Sequence, residues 1–243
     1  MSNKTILITG AAKRIGAAIT SGLHDAGMNV IIHYNTSSNE AQALSTTLNR
    51  KRPDSAHLIQ ANLLETDSLA ELVDKAYAIN QRLDVLINNA SVFYATPVND
   101  ISANQWEEVM GINVKAPLFL IKHAAPYLAV NKGCIINLAD IHAKRPLKNY
   151  PLYSISQSGL IMLTKALAKE LGPAIRVNAI SPGAILWAEK MDDDKKKMIL
   201  ARTVLGHQGS LAEIVNATHY LIEDTEYMTG QVLTIDGGRT LFS

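Results

Sequence analysis

Short apolar runs alternate along the chain with longer stretches in which apolar residues recur at helical spacing. The runs are continuous in Ile, Val and Leu, which is typical of strands buried on both faces of a parallel sheet. The segments predicted as strands are Thr5–Thr9, Asn29–His33, Ala56–Gln60, Asp84–Ile87, Cys134–Leu138, Arg176–Ile180 and Val232–Ile235.

The stretches between these runs predict helices. In Arg14–Ala26, for example, Ile15, Ile19 and Leu23 recur every four residues and therefore share one face. The other predicted helices are Asn39–Asn49, Ser68–Ile79, Trp106–Leu128, Tyr153–Leu171 and Leu211–Leu221. This alternation predicts an α/β fold with a doubly wound parallel sheet of about seven strands and helices on both faces. Because no repeat or Pro/Gly-rich linker divides the chain, residues 1–243 are expected to form one domain.

One charged stretch interrupts the alternation. Residues 189–197 read Glu-Lys-Met-Asp-Asp-Asp-Lys-Lys-Lys. Acids that precede bases suit the dipole of a solvated surface helix, which is the interpretation we favour. The alternative is a mobile lid, extending over about 184–209, that covers a substrate site.

Composition narrows the class of protein. The chain has 243 residues, of which 47% are hydrophobic and 19% charged, as is usual for a soluble globular protein. The formal net charge of +1 gives no basic excess for binding nucleic acid or an anionic membrane. A single cysteine, Cys134, excludes an intramolecular disulfide framework. With no signal-peptide pattern and no apolar run of about 18 residues, we expect a cytoplasmic protein without a membrane span.

A glycine-rich turn, Gly-Ala-Ala-Lys-Arg-Ile-Gly from Gly10 to Gly16, follows the first predicted strand. Gly10 permits a tight turn, and Gly16 permits a close approach of helix to sheet. The free N–H groups at the start of the helix then suit a phosphate, so the turn predicts a dinucleotide site. Arg14 stands where many such turns carry another glycine, and its charge favours a ligand with an additional phosphate.

The end of the second predicted strand bears on which dinucleotide binds. It reads His-Tyr-Asn-Thr-Ser-Ser from His33 to Ser38, with no acid before Glu40. An acid here would bind the ribose hydroxyls of NAD and repel a 2′-phosphate. Its absence favours NADPH, with His33, the serine hydroxyls and Arg14 as donors to the phosphate. Ser37 and Ser38 equally suit the N-cap of the next helix.

Further motifs occur in a fixed order along the chain. They are Asn88-Asn89-Ala90 after the fourth strand, Asn113 in the long helix, Tyr153 at the start of another helix, Pro182-Gly183 after the sixth strand and Asp236-Gly237-Gly238 after the last. Together with the glycine turn, this set resembles the short-chain dehydrogenase/reductase family over essentially the whole chain. Within that family the chain is most similar to pteridine reductases, on the evidence of Arg14, His33-Tyr34, the run from Asn89 to Tyr94, and Asp140 thirteen residues before Tyr153.

The resemblance implies a Rossmann-type single domain that uses NADPH to reduce a pterin or dihydrofolate-like ring, without a metal and as a homotetramer. The implied cofactor contacts are Gly10, Arg14, Ile15, Gly16, His33, Tyr34, Ser37, Asn62, Leu63, Asn89, Ala90, Ser91, Gln157, Pro182 and Gly183. The implied substrate contacts are Arg14, Ser91, Phe93, Asp140 and Tyr153. The implied catalytic residues are Tyr153, Asp140, Asn113 and Gln157.

Three of these residues suit the reduction of a ring C=N bond. Tyr153 resembles the family's proton donor, although a tyrosine with its usual pKa of about 10 is a weak acid at neutral pH. Asp140 follows the fifth strand and, if partly buried, could hold a proton or bind an aminopyrimidine edge. Phe93 could stack on the flat ring. The alternatives are a loop-capping role for Asp140 and simple core packing for Phe93.

The chain departs from the family at one catalytic position. The family pattern Tyr-x-x-x-Lys becomes Tyr153-x-x-x-Gln157, one helical turn apart. Glutamine can hydrogen-bond the nicotinamide ribose but lacks the charge that favours tyrosinate, an effect on the order of 3–4 kcal/mol. Asp140 could compensate, or another cation could, with Lys144, Arg145 and Lys148 as the candidates.

Other interpretations remain open. Without compensation at position 157, the chain could bind NADPH and turn over slowly, as a dinucleotide-binding relative. It could also be another short-chain reductase, such as a 3-oxoacyl-carrier-protein reductase or a carbonyl reductase. Two smaller departures are Asn62, where the family usually has Asp beside adenine, and Thr36, where pteridine reductases often carry an arginine for the 2′-phosphate.

Overall fold

Seven parallel strands form one sheet in a computed structural model that describes residues 4–187 and 191–242. They are β1 (Thr5–Ile8), β2 (Asn29–Tyr34), β3 (Ala56–Gln60), β4 (Val85–Asn88), β5 (Cys134–Leu138), β6 (Arg176–Pro182) and β7 (Val232–Ile235). Their order across the sheet is β3-β2-β1-β4-β5-β6-β7. The predicted sheet is confirmed, and each predicted strand lies within about two residues of an observed one.

Helices cover both faces of this sheet. Those of the described residues are α1 (Arg14–Asp25), α2 (Ser38–Lys51), α3 (Leu69–Asn80), α4 (Ala103–Met110), α5 (Ala116–Val130), α6 (Pro151–Leu171), α7 (Asp193–Leu200) and α8 (Leu211–His219). α1, α2 and α8 contribute to one hydrophobic core, and α3, α5 and α6 to another. Neighbouring residues of β1 point into opposite cores, Ile6 and Ile8 into the first and Leu7 into the second. This explains why the strand sequences are apolar without alternation.

The strand order reverses beside β1, which has β2 on one side and β4 on the other. In a doubly wound sheet the two connections leave this point in opposite directions, and their loops separate at the carboxyl ends of the strands. A crevice therefore forms beyond Ile8 and Ile87, which are paired in register. The glycine turn and the Asn-Asn-Ala motif both lie there.

The prediction of a single long helix over Trp106–Leu128 was wrong. α4 begins at a capping box formed by Ser102 and Gln105, and a π-helical turn, Gly111–Lys115, separates it from α5. Such a turn is short and has helix on both sides, so the apolar spacing of the whole segment predicted one continuous helix. The predicted helix Leu211–Leu221 similarly ends in a π-helical turn, Tyr220–Asp224, after α8.

The charged stretch forms the surface helix α7. Asp192 caps it, accepting a hydrogen bond of 2.7 Å from the backbone N–H of Lys195, and Lys196 pairs with Asp193. These contacts agree with the favoured interpretation of acids before bases. Glu189 and Lys190, which belong to the stretch and to the predicted lid, lie outside the described residues. Of the helices that are described, none combines the length and the apolar character needed to cross a bilayer.

Candidate active site

The ends of β1 and β4 are joined by side-chain hydrogen bonds at the crevice. Thr9 Oγ1 accepts hydrogen bonds of 3.0 Å from the backbone N–H groups of Asn89 and Ala90. The Asn89 amide nitrogen donates in return to the carbonyl oxygens of Thr9 and Gly10, each at 2.9 Å. The motif after β4 therefore fixes the turn after β1 by satisfying its backbone carbonyls.

The two glycines of the turn are required by close approach. Gly10 has φ +60°, and a Cβ there would lie 2.9 Å from the Ala90 Cα. A Cβ on Gly16 would lie 2.3 Å from the Gly10 carbonyl oxygen. Side chains are thus excluded where a ligand's phosphates would approach the start of α1, as expected for a dinucleotide turn.

A cavity of about 500 Å³ opens beside this turn. Its lining includes most of the predicted cofactor residues, namely Gly10, Arg14, Ile15, Gly16, His33, Tyr34, Ser37, Leu63, Asn89, Ala90 and Ser91. Ser37 precedes α2 but makes no side-chain cap hydrogen bond, so its hydroxyl stays available to a ligand. Asn62 is not brought into this cavity, because its amide bonds the Leu64 N–H and the Glu65 carboxylate.

His33 does not have the phosphate-donor role expected of it. Its ring is buried, the Gly10 N–H donates to Nδ1 at 3.2 Å, and Nε2 lies 3.2 Å from the Ala61 carbonyl oxygen. This pattern requires a neutral ring with the proton on Nε2. Burial accordingly lowers the pKa of His33 to about 4, against the opposing effect of the Ala61 hydrogen bond. His33 therefore supports the glycine turn from behind.

Arg14 lies between this cavity and a second one. Its backbone has φ 54°, a left-handed conformation that suits the glycine found there in related turns. Its guanidinium lies at the edge of hydrogen-bonding distance, 3.4 Å, from the Trp187 carbonyl oxygen. An exposed cation in a strained backbone conformation is typical of a functional site.

The second cavity, of about 320 Å³, contains the predicted catalytic pair. Tyr153 is 7% exposed, and its hydroxyl donates a 3.1 Å hydrogen bond to Asp140 Oδ2. Asp140 Oδ1 accepts a 2.7 Å bond from the His142 backbone N–H. The lining also includes Asn89, Ser91, Pro182 and Gly183 among the predicted residues.

Burial shifts the acidities of both members of the pair. It raises the pKa of Asp140, against the opposing effects of His142, Tyr153 and Arg239. Burial, together with the neighbouring Asp140 carboxylate, also raises the pKa of Tyr153 far above its usual range. Asp140 is therefore the member that titrates more readily, and Tyr153 keeps its proton while Asp140 is ionised.

Phe93 forms a wall of this cavity and is not core packing. Its side chain is 53% exposed. The ring stacks on Tyr150 at 4.7 Å between centroids and meets the Tyr153 ring edge-on at 4.7 Å. The Phe93 ring thus lies directly beside the hydroxyl-bearing ring and leaves apolar surface for a ligand.

Asn113 connects the Phe93 loop to α6. In the π-helical turn, its Oδ1 accepts from the Val92 N–H and the Ser91 hydroxyl, at 2.9 and 3.1 Å. Its Nδ2 donates to the Val92 carbonyl and the Ser156 hydroxyl, at 3.1 and 3.0 Å. These four hydrogen bonds hold Asn113 in the distorted turn of the helix.

Gln157 leaves one polar atom unpaired. The side chain is 1% exposed, and its Oε1 has no hydrogen-bond partner among the described residues. None of the cations proposed to replace the family lysine contacts Tyr153. Lys144 and Lys148 are exposed, and Arg145 donates to the backbone carbonyls of Arg239 and Thr240.

Sequence reasoning missed several residues that line the second cavity. Arg239 is the charged one, and Trp187, Met191 and Ile199 are the larger apolar ones. Arg239 directly follows Asp236-Gly237-Gly238 at the carboxyl end of β7, the edge where such sheets bind ligands, and this position was the available signal. The three apolar residues lie within 184–209, the segment that the alternative interpretation placed over a substrate site, but no motif singled them out.

The residues present fit a nicotinamide dinucleotide. The glycine turn leaves a cradle that any Cβ would fill. Of the predicted cofactor residues, Gln157 is one that lines neither cavity, although its buried Oε1 is a hydrogen-bond acceptor without a partner among the described residues. The two cavities share Arg14, Ile15, Asn89 and Ser91, so a cofactor in the first would extend towards Tyr153 in the second.

Comparison with known proteins agrees with this arrangement. Residues 10–240 match a family model described as enoyl-(acyl carrier protein) reductase. The chain is 33% identical to pteridine reductase 1 of Leishmania tarentolae, covering 97% of this chain and 96% of that protein. It is 31% identical to 3-oxoacyl-[acyl-carrier-protein] reductase of Staphylococcus aureus, covering 97% of each, and 31% identical to 3beta-hydroxysteroid dehydrogenase 1 of Eggerthella lenta, covering 100% and 95%. The chain therefore belongs to the short-chain dehydrogenase/reductase family of oxidoreductases.

Proposed function

We propose that this chain is an NADPH-dependent reductase of a pterin or dihydrofolate-like ring. The hydrogen bond between Tyr153 and the partly buried Asp140, beside the exposed ring of Phe93, is the observation that carries the proposal. A flat heteroaromatic ring would stack on Phe93 while its nitrogens lie near the Asp140–Tyr153 pair. A simple ketone needs neither a stacking wall nor a second acid.

The proton for a ring nitrogen would pass through both residues. The Tyr153 hydroxyl gives its proton to the nitrogen, and a protonated Asp140 Oδ2 returns one to Tyr153 across their 3.1 Å contact. Burial favours that protonated form of Asp140 by raising its pKa. A bound NADPH would supply the hydride to the adjacent ring carbon.

This relay explains how the site could work without the family lysine. Gln157 provides no positive charge, so a lasting tyrosinate at Tyr153 would be costly in a buried site. A proton delivered from Asp140 as Tyr153 gives up its own avoids that charge. The Gln157 amide would keep the positioning role, hydrogen-bonded to the ribose of the cofactor.

The preference for NADPH is supported by the charge around the first cavity. Arg14 lines it together with Thr36 and Ser37, whose hydroxyls can donate to a 2′-phosphate. The acid nearest to this segment, Glu40, pairs with Lys13 at 2.6 Å. No lining residue carries a carboxylate that would repel a phosphate.

Assembly as a homotetramer is supported by apolar residues exposed on α5 and α6. Leu118 is 39% exposed on α5, and Ile155 and Met162 are 48% and 63% exposed on α6. Such a surface suits burial against further copies of the chain. Light scattering should give a mass near four chains, and a mass near one chain would contradict this part of the proposal.

The experiment that tests the function compares three substrates under identical conditions. Loss of NADPH absorbance is followed with dihydrobiopterin, with dihydrofolate and with a 3-oxoacyl thioester. We expect turnover of the pterins and little of the thioester. The variant Phe93→Ala should raise KM for dihydrobiopterin about tenfold, the contribution of a stacked ring. Its matched control is Trp106→Ala, an exposed aromatic residue outside both cavities.

Two results would overturn the proposal. Faster turnover of the thioester than of either pterin would make the chain a 3-oxoacyl-carrier-protein reductase. Tight NADPH binding without oxidation in the presence of any of the three substrates would leave a dinucleotide-binding protein.

A further inference from the structure

Three arginines line a smaller cavity, of about 170 Å³, that adjoins the Asp140 cavity. They are Arg145 before α6, Arg202 after α7, and Arg239 after β7. Arg239, His142 and Ile141 line both cavities, so the two spaces meet at these residues. We call Arg145, Arg202 and Arg239 the arginine cluster.

The described carboxylates form no ion pair with the arginine cluster. Over residues 4–187 and 191–242, none of the three guanidinium groups lies within 4 Å of a carboxylate oxygen. Asp236, the acid nearest in sequence to Arg239, accepts instead from the backbone N–H groups of Gly238 and Thr240. Burial, Arg202 and Arg145 all lower the pKa of Arg239, while Asp140 and Asp236 raise it. Like charges are therefore held close enough to repel one another.

Two members of the arginine cluster are held in place by the backbone. Arg145 Nη1 donates to the carbonyl oxygens of Arg239 and Thr240, at 3.2 and 3.3 Å. Arg239 Nη1 donates to the carbonyl oxygen of Ile199 at 3.2 Å. Arg202 is exposed and makes no such side-chain bond in the described structure. Fixed guanidinium groups with free N–H donors are suited to a carboxylate or phosphate.

We propose that the arginine cluster binds an anionic group, a carboxylate or a phosphate, carried on the side chain of the ring substrate. This inference rests on the proposed function, because it places the ring beside Asp140. A substituent that leaves the ring past Arg239 enters the smaller cavity, where Leu147 and Phe242 supply apolar surface for the linking atoms. The site then selects pterins with an acidic tail over pterins with a neutral one.

The test pairs the variant Arg202→Gln with substrates that differ in tail charge. Arg202 is the member to change, because its removal breaks no hydrogen bond of the described structure. For dihydrofolate, whose tail carries carboxylates, and for a phosphorylated dihydropterin, kcat/KM should fall about tenfold, as expected for one charge-assisted hydrogen bond. For dihydrobiopterin, whose tail is neutral, it should change less than about twofold. The anion with the larger loss identifies which of the two chemistries the cluster serves.

Two further variants control for charge. Arg202→Lys keeps the positive charge and should recover most of the lost kcat/KM for the acidic substrates. Lys197→Gln removes a positive charge from α7, where Lys197 pairs with the exposed Asp194 outside the cavity, and should leave all three substrates unaffected. An equal loss for neutral and acidic substrates in Arg202→Gln, or no loss for either, would overturn the inference.

Failure of the proposed function can be distinguished from failure of this inference. If the unaltered chain reduces no pterin, the proposed function fails, and the cluster is then tested by equilibrium binding to the NADPH-loaded chain. Dihydrofolate should still bind the unaltered chain about tenfold more tightly than it binds the Arg202→Gln variant. Equal affinities would refute the anion site as well.

Discussion

Replacing Asp140 by Asn tests the proton relay with little disturbance of the structure. The new amide oxygen can still accept from the His142 N–H, and the amide nitrogen can donate to the Tyr153 oxygen, so both contacts of the carboxylate are conserved. What is lost is a group that takes up and releases a proton. The fold should therefore survive while the chemistry does not.

The magnitude follows from the distance between the two oxygens. Two unit negative charges 3.1 Å apart repel by about 5 kcal/mol at an effective dielectric of about 20, so the pair scarcely populates its doubly ionised state. Asp140 must be protonated when Tyr153 gives up its proton. General acid catalysis of this kind contributes about a hundredfold or more to the rate. We expect kcat for dihydrobiopterin to fall by at least that factor in Asp140→Asn.

The assay is a pH–rate profile with a stability measurement on the same samples. In the unaltered chain the rate should decline as pH rises through the raised pKa of Asp140, because the protonated form is lost. Ionising this partly buried carboxyl is less favourable in the folded state than in the unfolded chain, so folding stability declines as pH rises from the usual aspartate pKa to the raised one. The Asn variant should lack both declines and be at least as stable at neutral pH. A variant that keeps more than about a third of wild-type kcat with an unchanged profile would refute the relay.

Three further outcomes are expected at positions around the site. Gln157→Lys should raise turnover and move the pH–rate profile to lower pH, because a nearby positive charge stabilises the tyrosinate form of Tyr153. An unchanged pH–rate profile would contradict this electrostatic account. Arg14→Gly should raise the free energy of unfolding in urea by about 1 kcal/mol, because glycine adopts the left-handed conformation at φ 54° without strain. The same variant should bind NADPH more weakly. A less stable variant would show that the conformation of Arg14 is not strained. Because burial lowers the pKa of His33 to about 4, the unfolded chain binds this proton more readily than the folded chain does. The free energy of unfolding should therefore fall by about 3 kcal/mol as pH drops from 6.5 to 4. His33→Gln should reduce this pH dependence, and an equal slope in the variant would assign the pH dependence to other groups.

The sheet was predictable because its strands are buried on both faces. Ile6, Leu7 and Ile8 are each fully buried, and three consecutive apolar residues are typical of a parallel strand between two helical layers. The glycine turn was predictable for a similar reason, since Gly10 and Gly16 meet backbone atoms that exclude any side chain. Steric requirements of this kind leave a local mark on the sequence.

The features that were missed depend on contacts between residues distant in sequence. The neutral state of His33 is set by Gly10 and Ala61, and the arginine cluster is brought together from three separate connections. The π-helical turn is stabilised by the bonds of Asn113 to Val92 and Ser156, which periodicity along one helix does not report. Charge and hydrogen bonding at the site are therefore properties of the fold, and the sequence supplies only the candidate residues.

The position of Phe93 relative to Tyr153 depends on the number of residues in the π-helical turn Gly111–Lys115. Asn113 bonds both the loop that carries Phe93 and the helix that carries Tyr153. A π-helical turn is equivalent to one residue inserted into an α-helix. Deleting one residue from it would restore regular winding and rotate the preceding residues by about 100° relative to α5, turning the amide away from its partners. A one-residue deletion in this turn would therefore release both the loop that carries Phe93 and the helix that carries Tyr153, an effect that no single substitution outside the turn reproduces.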